Sequence, residues 1–241
     1  MHLIPIKTRA MIPPKDDLFS VMRGYLPKLK NGDVLVIASK VLAIHQGRCV
    51  KIEDQNKDRL IRREADAYIP GLKILGKRTT ITIKENTLIS SAGIDESNAM
   101  GHYILWPEKI QKSAKEIWKW LCKQYKLKQV GVIIADSHTI PLRAGTLGIS
   151  IGSFGFEPVF DYRGKPDIFG RILKITRANI ADALAVSAVH EMGEGLEKIP
   201  FVIVRGANNL HFNPSEVRNK IYIEKNIDIY RPLLKVFRKS R

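Results

Sequence analysis

Carboxylates that follow apolar segments are the residues of this sequence best suited to chemistry. Asp136 and Ser137 follow the apolar run 132–135, and Asp95 lies in the polar loop 93–98. Glu194 stands between two glycines after an alanine-rich segment. A buried strand fixes the residue at its exit, and carboxylate and hydroxyl oxygens are the ligands that hard divalent cations prefer. The pattern indicates a metal site, and a helix or turn cap is the alternative explanation.

Arginines interleaved with glycines lie downstream of these carboxylates. They are Arg143, Arg163 and Arg171. Guanidinium groups and glycine-rich backbone are suited to binding phosphate or carboxylate oxygens. Carboxylates for a metal and arginines for anions together favour metal-assisted phosphoryl chemistry, without indicating which kind.

Two other patterns resemble catalytic motifs but lack the context that those motifs need. Residues 148–152 match the Gly-x-Ser-x-Gly of serine hydrolases around Ser150, but a poor helix start follows them. Small residues alternating along a strand are the better explanation. His190-Glu191 begins like a zinc-protease helix, and no second histidine follows at the required spacing. The sequence contains neither a Walker-type Gly-x4-Gly-Lys-Ser/Thr loop nor a Gly-x-Gly-x-x-Gly motif.

The chain is strongly basic, with 40 Lys and Arg against 24 Asp and Glu, a net charge of +16. Such a field attracts anions, so nucleic acid, nucleotides and polycarboxylates are candidate partners. Nucleic acid is best supported by a lysine stripe beside two tryptophans and by a basic tail: Lys112, Lys115, Lys119 and Lys123 with Trp118 and Trp120, and Arg231, Lys235, Arg238, Lys239 and Arg241. The alternative is a solvated helix face whose tryptophans pack inward.

Strand and helix patterns alternate imperfectly, which favours an α+β fold over a doubly wound sheet. We predict strands at 3–6, 34–38, 79–83, 87–89, 130–134 and 201–204. We predict helices at 16–26, 58–68, 107–125, 178–192 and 228–237, and a mostly non-helical segment at 145–170. Cys49 and Cys122 lie in unrelated contexts and predict free thiols in a cytoplasmic protein. No apolar run approaches the roughly 18 residues of a membrane span, so no membrane partner is expected.

Several motifs, in order along the chain, resemble those of the γ-glutamyl ligase family of coenzyme F-420 biosynthesis. They are residues 32–41 with 47–48, 92–98 (Ala-Gly-Ile-Asp-Glu-Ser-Asn), 136–137 with 141 and 143–145, 161–164 (Asp-Tyr-Arg-Gly) with 170–171, and 200–206. The resemblance implies a homodimer with two intertwined α+β domains per subunit. We expect a discontinuous first domain at 1–75 and 171–241 and a second at 76–170.

The resemblance also implies an activity and a set of site residues. The activity is the GTP- or ATP-dependent joining of L-glutamate to a carboxylate acceptor through an acyl phosphate, with two Mg²⁺ or Mn²⁺ ions. Asp95 and Asp136 would hold the first ion, and Ser137 and Glu194 the second. Asp95, Asp136 and Arg143 would be catalytic. The nucleotide contacts would come from Lys7, Thr8, Arg9, Ala10, Ser39, Lys40, Asn98, Met192, Gly193 and Glu194.

The positions that depart from the family pattern are those expected to face the acceptor. Thr139, Ile140 and Leu142 stand where the deazaflavin enzymes have a glycine, an arginine and a tryptophan, and Ile44 replaces a basic residue. The string 139–143 is similar to a bacterial branch proposed to glutamylate folate-type pterins. The hypothesis is therefore a γ-glutamyl ligase acting on a folate-type pterin or on coenzyme F-420-0. The alternatives are a basic nucleic-acid-binding module, which we disfavour, and a ligase homologue that keeps the fold and a nucleotide without turnover.

Overall fold

The computed structural model describes residues 1–74, 77–214 and 221–240 of the 241-residue chain. The strands are β1 (His2–Ile6), β2 (Asp33–Ala38), β3 (Cys49–Lys51), β4 (Ala67–Ile74), β5 (Lys77–Lys84), β6 (Thr87–Ser90), β7 (His102–Ile104), β8 (Val130–His138), β9 (Leu147–Phe154), β10 (Val159–Asp161), β11 (Arg177–Asn179), β12 (Phe201–Arg205) and β13 (Arg238–Lys239). The helices are α1 (Leu18–Tyr25), α2 (Ser39–His45), α3 (Lys57–Glu64), α4 (Ile110–Tyr125), α5 (Ile180–Met192) and α6 (Arg231–Leu234).

A five-stranded sheet in the order β1-β12-β2-β8-β9 lies between two layers of helices. Its strands alternate from face to face, so that Leu35 and Ile37 of β2 pack on one side and Val34 and Val36 on the other. The first side is covered by α1, α2 and α4, and the second by α5. Because both faces are covered, β2, β8 and β12 have continuous apolar sequences rather than alternating ones.

A smaller sheet in the order β13-β4-β5-β6 lies beside α3 and a 3₁₀ turn at Ser91–Gly93. Leu60 and Ile61 of α3 pack with Ala92, Ile94 and Leu105 in a separate apolar cluster. Two short antiparallel pairs, β3–β7 and β10–β11, complete the pairing. Elements of both kinds, with mostly antiparallel pairing, confirm the predicted α+β class.

The predicted strands and the segment 145–170 agree with the structure, whereas the bounds of all five predicted helices differ from it. Two helices begin two residues later than predicted, at Leu18 and Ile180. Helix α3, predicted to reach Tyr68, ends at Glu64 because Tyr68 pairs with Thr82 in the smaller sheet. Helix α4 begins at Ile110 rather than Pro107. The last, predicted at 228–237, covers only Arg231–Leu234. Arg241 of the basic tail lies outside the described residues.

The central sheet contains strands from both of the predicted domains. β2 and β8 come from the two predicted domain ranges and are neighbours in one sheet, and the division into domains stays a prediction. In the three described ranges, no helix is both long enough and apolar enough to cross a membrane.

The tryptophans of α4 pack inward. The Trp118 indole donates a hydrogen bond to the Val130 carbonyl over 3.0 Å, and its ring lies 5.2 Å from that of Phe154. Trp120 contacts the rings of Phe19 and Tyr125. Both indoles therefore contribute to the core side of α4, and the lysine stripe is the solvated face of an amphipathic helix.

Candidate active site

The pairing of four strands brings distant chain segments to one edge of the central sheet. β2 and β8 are parallel, with Ala38 opposite Ala135, so their carboxyl ends meet. β12 runs antiparallel to β2 and begins at this edge, and β1 runs antiparallel to β12 and ends there. The segments 7–10, 39–40, 136–137 and 193–200 therefore lie together. Crevices outside the carboxyl ends of parallel strands are common ligand sites.

Asp95 reaches this edge from a different part of the fold. Its backbone pairs with Ile104 through hydrogen bonds of 3.0 and 2.8 Å, which fixes the loop. Its carboxylate lies 2.6 Å from the Lys40 ammonium. It also accepts hydrogen bonds from the Ser97 amide (2.7 Å) and hydroxyl (3.1 Å). Burial acts to raise the pKa of Asp95, but Lys40 and Ser97 outweigh it and lower the pKa below its ordinary value.

Asp136 carries the largest electrostatic perturbation at the site. Its carboxylate accepts hydrogen bonds from the Ser137 amide (2.8 Å) and from the Ser39 hydroxyl. Burial raises the pKa of Asp136 to about 7, the charge of Asp95 adds to the rise, and Ser137, Ser39 and Lys40 oppose it. Burial at this position therefore disfavours the charged form of the Asp136 carboxyl group.

Glu194 lies on the other side of the cavity, where α5 ends. Gly193, with φ of +71°, ends the helix and turns the chain toward the sheet edge. The Glu194 carboxylate accepts hydrogen bonds from the Ser137 hydroxyl (3.5 Å) and the Thr146 hydroxyl (3.2 Å). The Asn98 amide donates to the Gly195 carbonyl over 3.0 Å, which joins the loop after Asp95 to the loop after α5.

A cavity of ≈ 420 Å³ lies between these loops. Most of the predicted site residues line it: Thr8, Arg9, Ala10, Ser39, Lys40, Asp95, Asn98, Asp136, Ser137, Met192, Gly193 and Glu194. Lys7 and Arg143 are exposed and are not among the lining residues. The roles expected for those two side chains stay predictions.

The arginines of the expected anion site are placed differently from one another. Arg9 lines the cavity, and its guanidinium is held by Asp16 through contacts of 2.5 and 2.8 Å. Arg163 pairs with Asp161 of its own turn, and Arg171 is exposed. Arg143, Arg163 and Arg171, which the sequence indicated for anion binding, do not line this cavity, whereas Arg9 does.

The side chains expected to hold the metal ions are three carboxylates and one hydroxyl group. In the described part of the chain, no three His, Cys, Asp or Glu side chains are close enough to hold one ion together. The carboxylates instead lie in two places, Asp95 with Asp136 and Glu194 with Ser137. The carboxylate and hydroxyl oxygens of these four side chains suit Mg²⁺ or Mn²⁺. The residues fit such ions, and their binding stays a prediction.

Several residues that line or bridge the cavity were not among the predicted site residues, and three of them make polar contacts there. Ser97 orients the Asp95 carboxylate, and an Asx turn in which Asp accepts from the amide two residues later could have indicated it. Glu197 lines the cavity and accepts a hydrogen bond from the Gly195 amide over 2.8 Å. Thr146 reaches Glu194 from the start of β9, and no local pattern in the sequence indicates that contact.

Comparison with known proteins places the chain in a family. A sequence model described as F420-0:Gamma-glutamyl ligase matches residues 6–206. Two relatives, each named Coenzyme F420:L-glutamate ligase, come from Methanopyrus kandleri and Methanocaldococcus jannaschii. The first is 32% identical over 86% of this chain and 87% of the relative. The second is 35% identical over 75% of this chain and 78% of the relative. The match spans both loops that carry the cavity carboxylates, and the chain belongs to the F420-0:gamma-glutamyl ligase family.

Proposed function

We propose that this protein is a nucleotide- and metal-dependent γ-glutamyl ligase that joins L-glutamate to a carboxylate acceptor. The observation that carries the proposal is the single cavity lined by Lys40, Asp95, Asp136, Ser137 and Glu194. Relatives over most of the chain are named Coenzyme F420:L-glutamate ligase, which supports the reaction class.

The reaction needs the acceptor carboxylate to lose an oxygen, which is a poor leaving group until it is phosphorylated. In the proposed sequence, the acceptor oxygen takes the γ-phosphoryl group of GTP or ATP and a nucleoside diphosphate leaves. The amine of glutamate then attacks the acyl phosphate carbon, phosphate departs, and the nitrogen loses a proton. Bound divalent cations would supply positive charge that offsets the clustered phosphates and carboxylates.

The residues of this chain would prepare the cavity for that reaction. Asp95 and Asp136 would hold one cation, and Ser137 and Glu194 the other. Lys40 is fixed by Asp95 and by the Ser97 carbonyl at 3.0 Å, which keeps its ammonium at the cavity wall. Ser39 and the Ser137 amide hold the Asp136 carboxylate in one orientation. The hydrogen bond from Asn98 to Gly195 joins the two loops on either side of the cavity.

The proposed acceptor carries a flat heterocycle and a terminal carboxylate. The relatives' name supports the deazaflavin coenzyme F-420-0. The string 139–143, similar to that of the bacterial branch, supports a folate-type pterin instead. Its residues Thr139 and Leu142 are exposed and do not line the cavity. The two acceptors are tested as separate arms of one experiment.

The test measures acceptor-dependent release of nucleoside diphosphate. Metal-loaded protein is incubated with GTP or ATP, Mg²⁺ or Mn²⁺, L-glutamate, and either F-420-0 or a pterin carboxylate. We expect diphosphate release with one acceptor and none without an acceptor. Nucleotide binding without turnover in every combination would contradict the proposal and favour the inactive ligase homologue.

We also propose a homodimer, because the hairpin between β10 and β11 exposes a row of large apolar side chains. Ile168, Phe169 and Ile175 are 91%, 89% and 86% exposed. A surface of this kind usually marks a protein interface. Light scattering should give twice the monomer mass of 27.3 kDa, and a single-chain mass would contradict the proposal.

A further inference from the structure

A second cavity lies between α3 and β13 and has no role in the proposed reaction. Its volume is ≈ 990 Å³. Arg59, Arg62 and Arg63 of α3 line one wall, and Arg238 and Lys239 of β13 line the other. We call these five residues the basic cleft. β13 lies beyond the residues 6–206 that match the family, so two of the five cleft residues are outside the matched region.

Few ion pairs with described residues compensate the cations of the basic cleft. Asp54 is the only carboxylate among the described residues that line it. Arg63 lies 3.6 Å from Glu64, and no described carboxylate forms an ion pair with the other four cations. By contrast, Arg48 is paired with Glu64 at 2.6 Å and Arg205 with Asp33 at 2.7 Å. Among the described residues, the basic cleft therefore concentrates positive charge with little compensation in a concave space.

A polar side chain in the cleft wall also lacks a partner. The Ser240 hydroxyl oxygen is buried and has no hydrogen-bond partner among the residues that the structure describes. Buried hydroxyl groups are normally hydrogen-bonded, because leaving one unpaired is costly. Tyr68, partly buried beside it, adds an aromatic ring to the wall.

We propose that the basic cleft binds a small ligand that carries several phosphate groups in a chain. One arginine side chain can donate two parallel hydrogen bonds to the oxygens of a phosphate group, and a lysine adds a compact positive charge. Cavities that hold small ligands have volumes of about 300–1,000 Å³, and the cleft falls within this range. Its concave shape favours a compact polyphosphate over an extended nucleic-acid strand.

The probe for the test is inorganic tripolyphosphate, titrated calorimetrically into the full-length protein with EDTA present. The cleft variant is R59Q/R62Q, and the control variant is K119Q/K123Q on α4, which removes the same charge from exposed positions outside the cleft. We expect the cleft variant to bind at least about tenfold more weakly than wild type. We expect the control to bind within about twofold of wild type, because it leaves every cleft contact in place.

All four substituted side chains are exposed, so both variants should melt within a few degrees of wild type. Equal weakening of binding by the two variants would overturn the proposal, since it would show a response to net charge alone. Absence of tripolyphosphate binding to wild type would also overturn it. A parallel arm uses an eight-residue oligothymidylate, and binding of that strand without tripolyphosphate binding would assign the cleft to nucleic acid instead. None of these readouts requires glutamyl transfer, so they are independent of the proposed ligase reaction.

Discussion

Helix α5 packs so closely on β9 that a methyl group at Gly148 has no room. A Cβ atom at Gly148 would collide with the carbonyl oxygen of Ala185 and lie 2.7 Å from its carbonyl carbon. It would also lie 2.9 Å from the Cα of Val186. All three atoms belong to the backbone of α5, so no side chain can rotate away. Gly148→Ala must therefore move the helix or the strand.

The size of the required movement sets the expected loss of stability. Carbon atoms in contact lie about 3.5–4.0 Å apart, so α5 would have to shift by roughly 0.8 Å. Overpacking of this kind costs about 1–3 kcal/mol, and we expect the upper part of that range because the obstacle is backbone. The shift would also move Glu194, which follows α5, relative to the Ser137 hydroxyl 3.5 Å away.

The assay is equilibrium unfolding in urea, with Gly24→Ala as the matched control. Gly24 is exposed in α1, and a Cβ there would have no atom within 4 Å. The same substitution should stabilise this position by about 0.5 kcal/mol, through the higher helix propensity of alanine. We expect the Gly148→Ala midpoint to fall by about 1 M, for a slope of 2–3 kcal/mol/M. A midpoint equal to or above wild type would refute the close packing of α5 on β9.

Two further predictions concern charges outside the cavity. The Asp33 side chain is 1% exposed and accepts hydrogen bonds of 2.8 and 2.7 Å from Arg205. Asp33→Asn should therefore lower the free energy of unfolding by about 2–4 kcal/mol. A free energy of unfolding, measured in urea, within about 0.5 kcal/mol of wild type would contradict this. Hydrogen bonds from Arg9 hold the pKa of Asp16 well below its usual range. The stability that Asp16 contributes is therefore present above about pH 4 and is lost as the pH falls further. The difference in melting temperature between wild type and Asp16→Asn should shrink below that pH, and a constant difference would show that the pair adds nothing.

Local sequence patterns predicted the apolar strands of the central sheet and the end of α5. β2, β8 and β12 are apolar throughout because helices cover both faces, and α5 ends at Gly193 because glycine adopts the positive φ found there. The predicted end of α3 was wrong, because the pairing of Tyr68 with Thr82 in the sheet outweighs the local preference for helix. The short α6 shows that an amphipathic pattern alone did not extend a helix to 228–237.

The candidate site was predictable in its parts and not in its assembly. Asp136 was indicated by its position after an apolar strand. Its proximity to Asp95 and Lys40 depends on the parallel pairing of β2 with β8 and on the backbone bridge between Asp95 and Ile104. These contacts join residues far apart in the chain, and no periodicity specifies them. The resemblance to a family supplied that information, whereas the contact of Thr146 with Glu194 was not indicated by either route.

The proposed ligase reaction is tested most directly by the mass of the acceptor after incubation with wild-type protein and with Asp136→Ala. Ser150→Ala is the control, because Ser150 is buried in β9 and does not line the cavity. We predict an acceptor heavier by one or more glutamyl residues with wild type and with Ser150→Ala. We predict no mass change with Asp136→Ala, whose circular dichroism should remain that of a folded protein. An unchanged acceptor with wild type, or full glutamylation by Asp136→Ala, would contradict the proposed role of this cavity.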